Sequence, residues 1–192
     1  MEIKYLQQLY TMKNKLYLLF FICASTILYG FQTTDWEYHL SKDKRFSVLA
    51  PGKLTNTLDT VGSAIGPIFC NNLVYQEKVD SLAAIYSLSH CEYPTGTLHS
   101  DSTELTTLYF DSTVANMVAS LGGTLLYESE QGYAGYPGRI WKVSYDEGKK
   151  WGKFRALMVE DRLYILQVRA NNTVATRDHA TRYLDSFTLR TF

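Results

Sequence analysis

Residues 138–170, GRIWKVSYDEGKKWGKFRALMVEDRLYILQVRA, constrain the fold more than any other stretch of the chain. In their first third the side chains alternate. Trp141, Val143 and Tyr145 fall on one face, and Ile140, Lys142 and Ser144 on the other, which is the period of a strand. Asp146-Glu147-Gly148 supplies the turn, glycine accepting the positive φ such turns need. Folding the turn about Gly148 sets Trp141 opposite Arg155 and Tyr145 opposite Trp151. A second strand over 153–159 then passes through Glu160-Asp161 into a third over 163–168. A two-residue loop there pairs Met158 with Leu163, Leu157 with Tyr164 and Ala156 with Ile165, so apolar pairs occupy both faces. Leu163-Tyr164-Ile165-Leu166 has no polar side, which predicts a central strand covered above and below. Helices are the available cover.

Two segments have helical spacing. Asp101, with Glu104 three residues on, reads as a cap for a helix carrying the stripe Phe110, Val114, Met117, Val118 and Leu121, stopped by Gly122-Gly123. Residues 173–187 read as a second helix with Ala180, Tyr183, Leu184 and Phe187 on its buried face. Asn171-Asn172-Thr173 matches a glycosylation sequon but is read here as that helix's capping site. Further strands are expected over 45–50, ended by Pro51-Gly52, and over 54–61, 69–77, 84–91 and 124–130. Residues 31–44 read as a polar lead-in, 131–138 (QGYAGYPG) as a loop, and 188–192 as a tail. With 192 residues, 46% of them hydrophobic, the chain can bury one core, over residues 45–192.

The N-terminus carries a targeting pattern. Lys13 and Lys15 precede an apolar run over 16–31, which resembles a secretory signal peptide occupying residues 1–30, with Met12 as an alternative start. A retained anchor is the rival reading, because the run is near the lower limit for spanning a bilayer and Leu28 is not the small residue a cleavage site wants. A lipid anchor on Cys23 is disfavoured, since Phe20-Phe21-Ile22 lacks the small residue required before such a cysteine. The expected location is outside the cytoplasm, periplasmic or extracellular, with a membrane-anchored form as the alternative. Contact with a membrane is then expected only through an uncleaved N-terminal segment.

Export brings an oxidising compartment, and beyond the leader the chain has two cysteines. Folding strands 69–77 and 84–91 about Asp80-Ser81 sets Leu73 opposite Leu88, Tyr75 opposite Tyr86, and Cys70 opposite Cys91. The cysteines share the more polar face with Asn72, Ser87 and Ser89. Directly opposed strand residues lie within disulfide range. A Cys70–Cys91 bond would close a loop of about 20 residues, worth about 3 kcal/mol in the chain-entropy description.

The frame Phe46-Ser47-Val48-Leu49-Ala50-Pro51-Gly52, Tyr136-Pro137-Gly138-Arg139, Arg162-Leu163-Tyr164 and Tyr183-Leu184-Asp185-Ser186-Phe187 resembles exported bacterial domains of the PsbP-like type. The resemblance covers most of residues 45–189. It implies an α+β fold, an antiparallel sheet of about seven strands between helices in an α/β/α sandwich. It carries no catalytic signature onto residues of this chain.

Catalytic and metal-binding patterns are missing from the sequence. His39, His90, His99 and His179 are scattered, and Gly62-Ser63-Ala64 does not complete a nucleophile elbow. The pairs Asp146-Glu147 and Glu160-Asp161 fall in turns. No cofactor is expected, and an enzymatic role is disfavoured without being excluded. Nucleic acid is not an expected partner either. Without residues 1–30 the chain has 16 Lys and Arg against 18 Asp and Glu, no excess to displace counterions from phosphates. What remains is an aromatic and basic group: Tyr133, Tyr136, Arg139, Trp141, Trp151 and Arg155. Aromatic anchors with arginine are what interfaces prefer, which points to a partner protein or envelope component. The competing reading makes Trp141 and Tyr145 core, with the Arg155 stem covering them. The alternative function is a small-ligand receptor or enzyme with a pocket between sheet and helix.

Overall fold

The computed structural model describes residues 36–63, 66–77 and 83–190, so the expected leader over 1–30 and the turn at Asp80-Ser81 lie outside the described residues. In chain order the elements are β1 (Glu37–Leu40), β2 (Phe46–Ala50), β3 (Thr55–Ser63), β4 (Gly66–Glu77), β5 (Ala84–Glu92), α1 (Thr103–Leu121), β6 (Thr124–Glu130), β7 (Gly138–Tyr145), β8 (Lys150–Val159), β9 (Arg162–Asn171), α2 (Val174–Asp185) and β10 (Thr188–Leu189). Seven strands form one antiparallel sheet in the order β3-β4-β5-β9-β8-β7-β6. The apolar run of β9 therefore lies at the middle, where Leu163, Tyr164 and Leu166 are at most 1% exposed.

Each face of the sheet has its own core. On one side Trp141, Val143, Phe154, Met158 and Leu163 pack with Phe110 and Val114 of α1. On the other, Tyr86, Leu88, Leu157, Tyr164, Leu166 and Val168 meet Ala180, Tyr183 and Leu184 of α2, as expected, and Phe187, which was expected on the helix but lies beyond its end at Asp185. Thr173 caps α2, its Oγ1 accepting from the Thr176 N–H. That second layer is thickened by a three-stranded sheet, β1-β2-β10, which places Phe46, Val48 and Ala50 in the same core. The seven-stranded sheet between helices agrees with the expected α+β class. The small second sheet was not foreseen.

Two hairpins take the expected register. Met158 pairs with Leu163 and Leu157 with Tyr164, across a turn in which Glu160 has φ 56°. Cys70 pairs with Cys91, Leu73 with Leu88 and Tyr75 with Tyr86, and the cysteines are bonded, their Cα atoms 4.2 Å apart.

Other expectations need correction. The β7–β8 register is displaced by one residue: Trp141 faces Phe154, Ile140 faces Arg155 and Ser144 faces Trp151. The turn holds Lys149 as well, because Asp146 and Glu147 take positive φ alongside Gly148 and the Lys149 N–H bonds Asp146 O at 2.9 Å. A slip of one residue transfers a side chain to the opposite face, which is why Trp141 and Arg155 do not meet. The cap of α1 is Ser102 instead of Asp101. The lead-in over 31–44 contains a strand, since 37–40 pairs with 47–50, and the compact unit begins at Trp36. The tail over 188–192 starts with β10.

Candidate binding site

The loop over 131–138 is a small hairpin. Tyr133 and Tyr136 exchange backbone hydrogen bonds, each 3.0 Å, around Ala134 (φ 53°) and Gly135 (φ 86°). Two successive positive φ values are the backbone twist a two-residue hairpin turn requires. Its base is fixed to the sheet: the Gln131 N–H donates to Gly138 O at 2.9 Å and the Met158 N–H to Pro137 O at 3.0 Å. Gly138 allows this approach, because a Cβ there would lie 2.5 Å from Gln131 O and 2.7 Å from Ala156 O.

Two concavities flank the hairpin, and Tyr136 lines both. One, of about 350 Å³, lies against the start of α1 at Thr103, Thr106 and Phe110. The other, of about 440 Å³, is bounded by Tyr133, Ala134, Tyr136, Val159, Glu160, Tyr164 and Leu189, with the three arginines Arg45, Arg162 and Arg190. Tyr133 leans over this second cavity's side of the sheet, edge-on to Phe187 and under the Arg155 guanidinium at 5.3 Å.

The three cations are held differently. Arg162 is buried and donates to Asp43 at 2.5 Å, to Glu92, and to the Tyr164 hydroxyl at 3.4 Å. Burial alone would raise the Asp43 carboxyl, but hydrogen bonds from Arg162, Ser41 and the Arg45 N–H outweigh it and hold its pKa at about 2. Burial opposes the charge on Arg162 as well, and its hydrogen bonds, Asp43 first, overcome that and push its pKa further up. Arg45 and Arg190 are exposed and adjacent, the Arg190 N–H donating to Arg45 O at 2.8 Å. Neither forms an ion pair among the described residues.

Beyond Arg162 a third cavity, of about 430 Å³, runs between β1 and strands β3, β4 and β5, with Leu40, Leu54, Phe69 and Leu73 along it. His90 also lines it. Its buried Nδ1 has no hydrogen-bond partner among the described residues. Burial, then the nearby Arg162 charge, lowers the His90 pKa, so the ring is neutral at neutral pH.

Of the six residues singled out in the sequence, two reach these cavities from the hairpin and four are buried. Trp141, 0% exposed, is stacked on Phe154 at 5.1 Å on the α1 side. Trp151, 2% exposed, belongs to the core on the α2 side. The two indoles therefore cannot form one surface. Arg139 is buried on the α1 side, paired with Asp111 at 3.0 Å and with Glu128, yet reaches the wall of the smaller cavity. Arg155 donates to the Leu184 carbonyl at 3.3 Å, a cation at the C-terminal end of α2 where the helix dipole favours it. Desolvation lowers its pKa. Sequence reasoning misses Arg45 and Arg190 as cavity residues and gives Arg162 only a structural place, in the Arg162-Leu163-Tyr164 frame. Arg45 and Arg190 stand 145 positions apart, and no local pattern joins them.

No family model and no curated protein matches the chain. Among solved structures it is similar to cyanobacterial PsbP (CyanoP) from Synechocystis sp. PCC 6803, a solution structure, over 84% of this chain and 96% of that one. The TM-score is 0.52 and the identity 12%, a likeness that carries the fold alone. With one antiparallel seven-stranded sheet, a helix on each face and this neighbour, the chain has a PsbP-like α/β/α fold.

Proposed function

We propose that the chain is an exported, non-enzymatic domain that holds a partner protein of the cell envelope through the Tyr133–Tyr136 hairpin and the cavities beside it. The observation that carries this reading is the hairpin itself: two half-buried tyrosines set on a clamped turn at the shared rim of two concavities. Rigid aromatic side chains give large contact area at low entropic cost, which is what interface anchors require. Support for export comes from the Cys70–Cys91 bond and from the apolar N-terminal run with its lysines, because disulfides persist outside reducing compartments. The test is site-specific photo-crosslinking in the native envelope, with p-benzoylphenylalanine in place of Tyr136 and, as a control, of the exposed Lys149. A discrete adduct at Tyr136 that is missing at Lys149 supports the reading. Equal adducts at both positions, or none at either, sink it.

A second reading, a small-ligand receptor or enzyme, draws on the cavity behind Arg162, where His90, Asp43 and Glu92 converge beside apolar walls. Native mass spectrometry of protein purified from its own envelope separates the two. A bound small-molecule mass that dissociates on denaturation favours the receptor.

A further inference from the structure

Resting on the binding reading above, we infer that the larger cavity takes an acidic peptide segment, a carboxylate seated between Arg45 and Arg190 and an apolar or aromatic neighbour against Tyr133 and Tyr136. The argument begins with the pairing of β2 and β10. Leu189 faces Phe46, so the next residues along, Arg190 and Arg45, stand opposite each other, and their backbone hydrogen bond of 2.8 Å keeps them there. Like charges directly opposed across a strand pair are destabilising, and in this chain no described carboxylate pairs with either.

The other two arginines that line the cavities are treated differently. Arg139 has Asp111 and Glu128, and Arg162 has Asp43 and Glu92. Among the described residues, Arg45 and Arg190 are thus the cavity-lining arginines without a carboxylate partner. Glu160, which lines the same cavity, forms no ion pair with them. Guanidinium groups bind carboxylates through paired, planar N–H donors. Tyr133, Tyr136, Val159 and Leu189 supply apolar and aromatic wall beside them. A volume of about 440 Å³ admits a few side chains of an extended segment. A concavity bordered by a hairpin also suits a side chain better than the flat, charged surface of a bilayer.

The test uses fluorescence anisotropy with two labelled probes, Gly-Glu-Phe-Glu-Gly and its neutral counterpart Gly-Gln-Phe-Gln-Gly. Wild-type protein is expected to bind the acidic probe about tenfold more tightly, with the preference shrinking between about 0.02 and about 0.3 M salt. Arg45→Gln/Arg190→Gln, two exposed positions whose circular dichroism should match wild type, removes the preference. Tyr136→Ala weakens both probes alike. Equal binding of the two probes by wild type overturns the inference, and so does a preference that survives the double arginine variant. Wild-type binding to phosphatidylglycerol vesicles, lost in the double variant without any peptide preference, overturns it in favour of a lipid headgroup. If the Tyr136 cross-link keeps its yield in the double variant, the acidic-segment inference fails while the binding reading stands. If no specific cross-link forms at all, both fail.

Discussion

Removing the Cys70–Cys91 bond gives the most direct energetic test of how the β3-β4-β5 half of the sheet is held. The two cysteines are 21 positions apart, and releasing a loop of that size returns about 3 kcal/mol of entropy to the unfolded chain. Cys70 is 6% exposed, so removing its sulfur, which leaves only the Cβ methyl, adds a small loss of packing, up to about 1 kcal/mol. Cys70→Ala/Cys91→Ala should therefore cost about 3–4 kcal/mol, a large share of the 5–15 kcal/mol typical of whole domains. Urea unfolding of wild type, with and without reductant, and of the double variant measures this. The unfolded chain, freed of its cross-link, exposes more surface, so the slope should steepen while the midpoint falls. A loss under about 1 kcal/mol with an unchanged slope would refute the reasoning. It would mean that the β4–β5 pairing persists in the unfolded state and that the bond closes nothing.

Three further outcomes are expected. Trp141→Ala removes a fully buried ring stacked on Phe154 and should cost about 3–5 kcal/mol, read by near-ultraviolet circular dichroism and urea midpoint. A midpoint near wild type would place the indole outside the core. Gly138→Ala drives a methyl to 2.5 Å from Gln131 O and 2.7 Å from Ala156 O, neither the end of a flexible side chain. It should cost about 1–3 kcal/mol and lower Tm; an unshifted Tm would show that the hairpin is not clamped there. Asp43 has its folded pKa lowered from 3.8 to about 2, so the unfolded carboxyl takes its proton first. Its contribution is complete above the ordinary value and lost as pH falls from 3.8 to about 2. In urea midpoints taken across that range, Asp43→Asn should flatten the decline, and an unaltered slope would contradict the Arg162 pairing.

What could be read from the sequence was local and periodic. The β8–β9 and β4–β5 hairpins each join adjacent segments with an apolar pattern strong enough to fix register, and both formed as expected. The apolar face of α2 was legible for the same reason, through spacing within one element. Strand β1 was not. Its sequence, EYHL, does not alternate cleanly, and three of its four residues are exposed; backbone pairing with β2 makes it a strand. The β7–β8 register depended on two non-glycine residues accepting positive φ, which composition does not signal. The cavity arginines were illegible because their geometry is set by distant pairings. Arg45 and Arg190 are joined across β2–β10, and Arg162 finds Asp43 and Glu92 at separations of 119 and 70 residues. The hairpin carrying Tyr133 and Tyr136 was legible as a loop because a Gly- and Tyr-rich segment marks itself without help from the rest of the chain.

The placement of β9 has a consequence for how the chain matures. The early meander β3-β4-β5 and the later one β6-β7-β8 touch in the sheet only through β9, the last long strand to be synthesised. Until residues 162–171 arrive, each half has an unzipped inner border, at β5 and at β8. The keystone comes late, so an emerging polypeptide is kept from sealing its fold ahead of time. That delay leaves two sticky borders in need of shelter until the final strand slots between them.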